Sequence, residues 1–153
     1  MSYIRHVLQP DEKVIMVGRL SWIVYHRAIL YLIAGIILLL VEHEYWHDAP
    51  IVMIITAAVF GALALASGLH AWLIRWSTEI AVTDKRVIHK RGFINRHTIE
   101  MNMDKVATVD VDQSILGRLL NYGTVTVRGT GMSFEPLRRI ETPIALRNAI
   151  IAK

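Results

Sequence analysis

Residues 51–74 read IVMIITAAVFGALALASGLHAWLI, 24 positions without an Asp, Glu, Lys or Arg. As a helix this run is roughly 36 Å long, more than the roughly 30 Å hydrocarbon core of a bilayer. Upstream, Ala28 to Val41 is also uncharged. Leu20 to Tyr25 extends it, interrupted only by His26 and Arg27, and a cation near a helix end can reach the headgroups. The pattern predicts a transmembrane hairpin over 22–76, with spans at about 22–41 and 51–74 and an outer loop at 42–50. Residues 1–21 are read as a cytoplasmic N-terminal segment. The first span is not read as a cleaved signal peptide, because more than twenty mixed residues precede it and no A-x-A site follows.

Charge sets the expected orientation. Arg5, Lys13, Arg19 and Arg27 precede or open the first span, and the loop 42–50 holds no Lys or Arg but carries Glu42, Glu44 and Asp48. Arg75 and twelve further cations follow the second span. The positive-inside rule places both termini in the cytoplasm. Trp22, Tyr25, Tyr45, Trp46, Trp72 and Trp76 stand where an interfacial aromatic belt is expected. In the second span Ala57, Gly61, Ala64, Gly68 and Ala71 share a helix face, and Gly35 offers a small surface on the first. These residues serve either an oligomer seam or packing within the hairpin.

From Ser77 the composition changes. Strands are predicted at 78–82, 86–90, 94–101, 106–112, 122–128 and 132–140, with an irregularity near Val106–Thr108. Tyr122 to Arg128 alternates cleanly. Ser114 to Leu120 reads as a short helical turn whose Leu116, Leu119 and Leu120 plug a barrel end. Pro143 opens a terminal helix with Thr142 as its N-cap.

The chain has 153 residues, 54% hydrophobic and 20% charged, with net charge +4 and no cysteine. The missing cysteine excludes disulfides, thiolate metal sites and a cysteine nucleophile. No P-loop, Rossmann fingerprint or nucleophile elbow is present, and an enzyme is not expected. Exposed aromatics interleaved with cations are lacking in the second half, so nucleic acid is not an expected partner.

The stretch Val82-Thr83-Asp84-Lys85-Arg86-Val87-Ile88, the run from Val111 to Val125 containing Gln113-Ser114-Ile115-Leu116-Gly117-Arg118-Leu119-Leu120, and Gly129-Thr130-Gly131 together resemble the bacterial pleckstrin-homology-like, membrane-flanked domain family. Leu8 to Val14 resembles that family's acidic, proline-containing lead-in. The resemblance implies an α+β membrane protein. A two-helix transmembrane hairpin precedes a PH-like domain at 77–153, an antiparallel barrel or sandwich of seven strands capped by a C-terminal helix. It also implies a place in a bacterial cytoplasmic (inner) membrane, and no reaction.

Lys85, Arg86, Lys90, Arg91 and Arg96 lie where eukaryotic relatives of this fold hold lipid headgroups. With Arg118 they are the candidates for contact with anionic lipid or a protein partner, the alternative being a solvated strand face. Arg118 is also placed to pair with Asp110 or Asp112.

His43-Glu44-Tyr45-Trp46-His47 matches H-E-x-x-H. Residues 49–76 offer no acidic third ligand, so His43 and His47 are at most weak metal candidates and a metal-dependent enzyme is a remote alternative. His26 and His70 stand near span ends, where interfacial histidines are common. No cofactor is expected. The reading is a non-enzymatic membrane protein that presents an interaction module, as a homo-oligomer or a subunit of a membrane complex. A channel or transport-associated subunit is the second reading, disfavoured by spans with almost no polar lining.

Overall fold

The computed structural model describes residues 8–9, 11–45, 50–92, 97–131 and 135–152. Contacts divide the chain into two compact units, Trp22–Leu73 and the combination of Met1–Ser21 with Ile74–Lys153.

The first unit is helical. A 3-10 turn at Trp22–Tyr25 leads into α1 (His26–Tyr45), and α2 (Pro50–Ser77) follows. Proline suits the start of α2 because its missing N–H would have no partner there. Helix α1 runs through Tyr45, so Glu42 is helical rather than part of a loop. Its Oε1 accepts a hydrogen bond from Thr56 Oγ1 of α2 at 2.7 Å. Ser67, a polar residue in an apolar helix, donates back to Leu63 O at 2.7 Å. Most large apolar side chains of both helices face outward; Leu65 is 75% exposed.

Among the described residues the second unit holds seven strands, a 3-10 turn at Met103–Lys105 and two short α-helices. Strands β1 (Val14–Gly18), β2 (Glu79–Thr83), β3 (Arg86–Arg91) and β4 (His97–Asn102) form one antiparallel sheet in that order. Strands β5 (Val106–Asp112), β6 (Tyr122–Gly129) and β7 (Leu137–Glu141) form another. A short helix α3 (Ile115–Leu119) links β5 to β6, and α4 (Pro143–Ile151) ends the chain. The irregularity expected near Val106 is present, as a register shift between Val106 and Thr108.

The expected start of the β domain at Ser77 needs correction. Val14–Gly18 pairs with β2, Gly18 opposite Ile80, so the domain is discontinuous and the helical hairpin is an insertion between β1 and β2. Past β1 the chain also reaches the second sheet. Leu20 bridges Ile140, and Ser21 N donates to Arg139 O at 2.7 Å. The sheets touch at this edge, but the described strands do not close into a barrel.

Alternation builds the core. In β6 Gly123, Val125 and Val127 are buried while Tyr122, Thr124 and Thr126 are half-buried. Ile80, Val82, Val87, Met101, Val125, Val127 and Ile140 meet Leu146 and Ile150 of α4 between the sheets. Each fully buried aliphatic side chain contributes about 2 kcal/mol. Thr142 stands at the N-cap of α4 as expected, but in the left-handed region (φ 50) and without a side-chain capping bond. A β-branched residue there is strained.

Candidate functional site

The Thr83-Asp84-Lys85-Arg86 turn between β2 and β3 is the best-connected polar locus. Thr83 Oγ1 accepts from Arg86 N at 2.9 Å and donates to Glu12 Oε1 at 2.7 Å. Asp84 Oδ1 accepts from Lys13 N at 3.0 Å, and Asp84 N donates to Lys13 O at 3.1 Å. The lead-in segment is thereby stitched to the hairpin. Glu12 sits under the Arg86 fork: Nε donates to Oε1 at 2.9 Å and Nη2 to Oε2 at 2.8 Å. Arg86 Nη1 also reaches Glu100 Oε2 at 2.7 Å. The Arg86 guanidinium holds the Glu12 carboxyl down to about 2, against the opposing effect of burial and with help from Gln9 N–H and Thr83. Glu12 in turn raises Arg86.

Arg86, one of the lipid-contact candidates, is therefore committed to the fold, with its side chain only 14% exposed and that of Glu12 at 0%. The sequence reading did not single out Glu12. Its signal was an acid in the lead-in, with no local cue to a partner more than seventy residues on.

Among the described residues, the other basic candidates of this hairpin divide between the turn and the two faces of β3. Alternation along β3 puts Arg86 and Lys90 on one face and His89 and Arg91 on the other. Lys85 is exposed at the turn and Lys90 half-buried. Arg91 pairs with Glu135 at 3.4 Å, both exposed. Arg96 lies outside the described residues. His89 is buried, and burial, reinforced by Arg91 and His97 against the pull of Glu135, lowers its pKa.

Arg118 lies on α3. It lines a shallow concavity over β5 and β6 together with Asp110, Asp112, Arg128, Ile144 and Arg147. Asp110 pairs with Arg128 at 3.4 Å, not with Arg118. Around α3 the backbone is tightly fixed. Ser114 Oγ accepts from Gly117 N at 3.0 Å, and Gln113 Nε2 donates to Tyr122 O at 3.1 Å. A Cβ on Gly117 would lie 2.7 Å from Tyr122 O, and one on Gly123 2.8 Å from Asp112 O. These glycines serve close backbone approach, not positive φ.

Of the three leucines expected to plug a barrel end, Leu116 and Leu119 are instead 61% and 79% exposed, as is their neighbour Ile115 at 88%, while Leu120 is half-buried. The core of the β unit is completed instead by Leu146 and Ile150 of α4.

In the helical unit Gly35 is buried, and a Cβ there would meet Phe60 Cβ at 2.8 Å. Ala64 is buried and Gly68 is half-buried facing Ala28, whereas Ala57 and Gly61 are exposed. The small-residue stripe thus divides between packing inside the hairpin and its outer surface. His43 is exposed near the end of α1, while His47 lies outside the described residues.

A four-stranded and a three-stranded antiparallel sheet, with a C-terminal helix packed on strands of both, define a pleckstrin-homology-like module. The family model for the bacterial PH domain matches residues 14–153, from the first residue of β1, and the chain belongs to that family. Comparisons with curated proteins and with solved structures gave no match.

Proposed function

We propose that this chain is a non-enzymatic integral membrane protein whose two helices anchor a PH-like module on the cytoplasmic side of a bacterial inner membrane, where the module works by binding and assembly. The observation that carries this reading is the insertion itself. Two long apolar helices, with their large side chains turned outward, interrupt a well-packed β module between β1 and β2. A soluble core helix buries its leucines, whereas these present them to the surroundings as a lipid-facing helix does. The charge asymmetry of the flanks supports this orientation. The committed chemistry of Arg86 and Glu12 supports a scaffold role for that turn rather than a reaction.

Chemical crosslinking in native membranes, followed by mild solubilisation and particle sizing, tests the assembly role. A species larger than the monomer, of this chain with itself or with another membrane protein, is expected. Only monomer after efficient crosslinking would contradict it.

A further inference from the structure

We infer that α3 and the outer face of α4 form a bilayer-docking surface, with Ile115, Leu116 and Leu119 entering the interface and Arg118 and Arg147 meeting anionic headgroups. The inference rests on the reading of α1 and α2 as membrane spans, and moves lipid contact away from the β2–β3 hairpin.

The apolar side chains of α3 are held outward. Spacings of three and four residues put Ile115, Leu116 and Leu119 on one side of its single turn. The bonds from Gln113 and to Ser114 fix that turn, and the close approach at Gly117 blocks it from rolling inward. On α4, Ile144 and Ile151 are exposed with Arg147 at the intervening turn. Ile144, Arg118 and Arg147 line the same concavity. Exposed apolar residues interleaved with arginines are the chemistry of an interfacial, not a transmembrane, contact.

Three considerations favour lipid as the occupant. Among the described residues neither Arg118 nor Arg147 has an ion-pair partner, so two cations stand ready for anionic headgroups. A second copy docking through this face would bring the same arginines together. The apolar patch is also small: five exposed side chains on α3 and α4, Ile115, Leu116, Leu119, Ile144 and Ile151, stand against the roughly 20–30 residues a side of a stable protein interface. A weak contact suffices for a tethered module, because attachment makes docking intramolecular. Only Thr78 separates α2 from β2 in the chain.

The chain has no cysteine, so single cysteines can carry an environment-sensitive fluorophore. The test uses full-length Leu116→Cys and Leu119→Cys, with Asn102→Cys as the water-side reference and Leu65→Cys as the reference within a span. Each is reconstituted in vesicles of phosphatidylcholine with phosphatidylglycerol and probed with a spin-labelled lipid that quenches near the headgroups. Labels at 116 and 119 are expected to shift to the blue and be quenched, unlike the label at 102.

Each arginine near an anionic surface changes docking by about fivefold. Arg118→Gln with Arg147→Gln should therefore lower the docked-to-undocked ratio about twenty-five-fold, with the label at 65 unaffected. A label at 116 as water-exposed as that at 102, while 65 is lipid-buried, would overturn the proposal. So would a label shielded from water but untouched by the lipid quencher, which would assign the surface to a protein. If the label at 65 is also in water, the membrane reading fails and this inference with it.

Discussion

Glu12 and Arg86 tie the first residues of the β module to a hairpin far away in sequence. Removing one partner of a buried ion pair leaves the other uncompensated, at about 3–5 kcal/mol. Arg86→Ala should therefore lower the urea midpoint of the detergent-solubilised protein strongly. Arg86→Lys, which keeps the charge but loses the two-pronged fork, should fall between it and the native protein. Acid should act in two windows. Glu12, held at about 2 against an ordinary 4.5, contributes stability that is complete above 4.5 and lost as pH falls through about 2. The lowered pKa of His89 contributes stability present above its ordinary 6.5 and lost as pH falls from there towards its folded value. His89→Gln should flatten the decline that begins near pH 6.5 and leave the lower window intact, as read from unfolding midpoints across pH. A residue's charge was legible in the sequence, but its partner was not. Arg86 reads as a surface cation because the carboxylate that buries it lies in a segment whose pairing is nonlocal.

Among elements, the two helices were the most legible because their apolar runs are long and local. The same logic misread α3. Leucines in a helical turn normally mark core, yet here Gln113, Ser114 and Gly117 fix the turn with its leucines outward. Strand β1 was hidden for a different reason. Val14-Ile15-Met16-Val17 carries the right residue types, but its partner β2 lies beyond an inserted hairpin. The small-residue stripe was legible as a pattern and not as an interface. Gly35→Ala should destabilise the hairpin, because its Cβ would meet Phe60 Cβ at 2.8 Å. Gly61→Ala meets nothing within 4 Å and should be neutral or stabilising by up to about 1 kcal/mol, because alanine is the better helix former. Thermal unfolding of the two variants in the same detergent compares them directly, and equal effects would contradict the packing described.

At the scale of the whole molecule, the PH-like module is completed across the insertion. A fragment starting at Ser77 lacks β1, Glu12 and the bridge from Leu20 to Ile140, and should fail to fold. Joining Ser21 to Ser77 through a short flexible linker restores the antiparallel β1–β2 pair and should give a folded, helix-poor module, as circular dichroism and amide dispersion in NMR would report. A folded 77–153 fragment would contradict the discontinuous domain. The central claim is that the inserted hairpin crosses a bilayer and leaves the module on the cytoplasmic side. Single cysteines at Glu44, exposed near the end of α1, and at Asn102, exposed at the end of β4, test it in intact cells with a membrane-impermeant maleimide. The account predicts that Glu44→Cys reacts from outside and that Asn102→Cys reacts only after permeabilisation. Equal reactivity of the two sites before permeabilisation, or the reverse order, would contradict it.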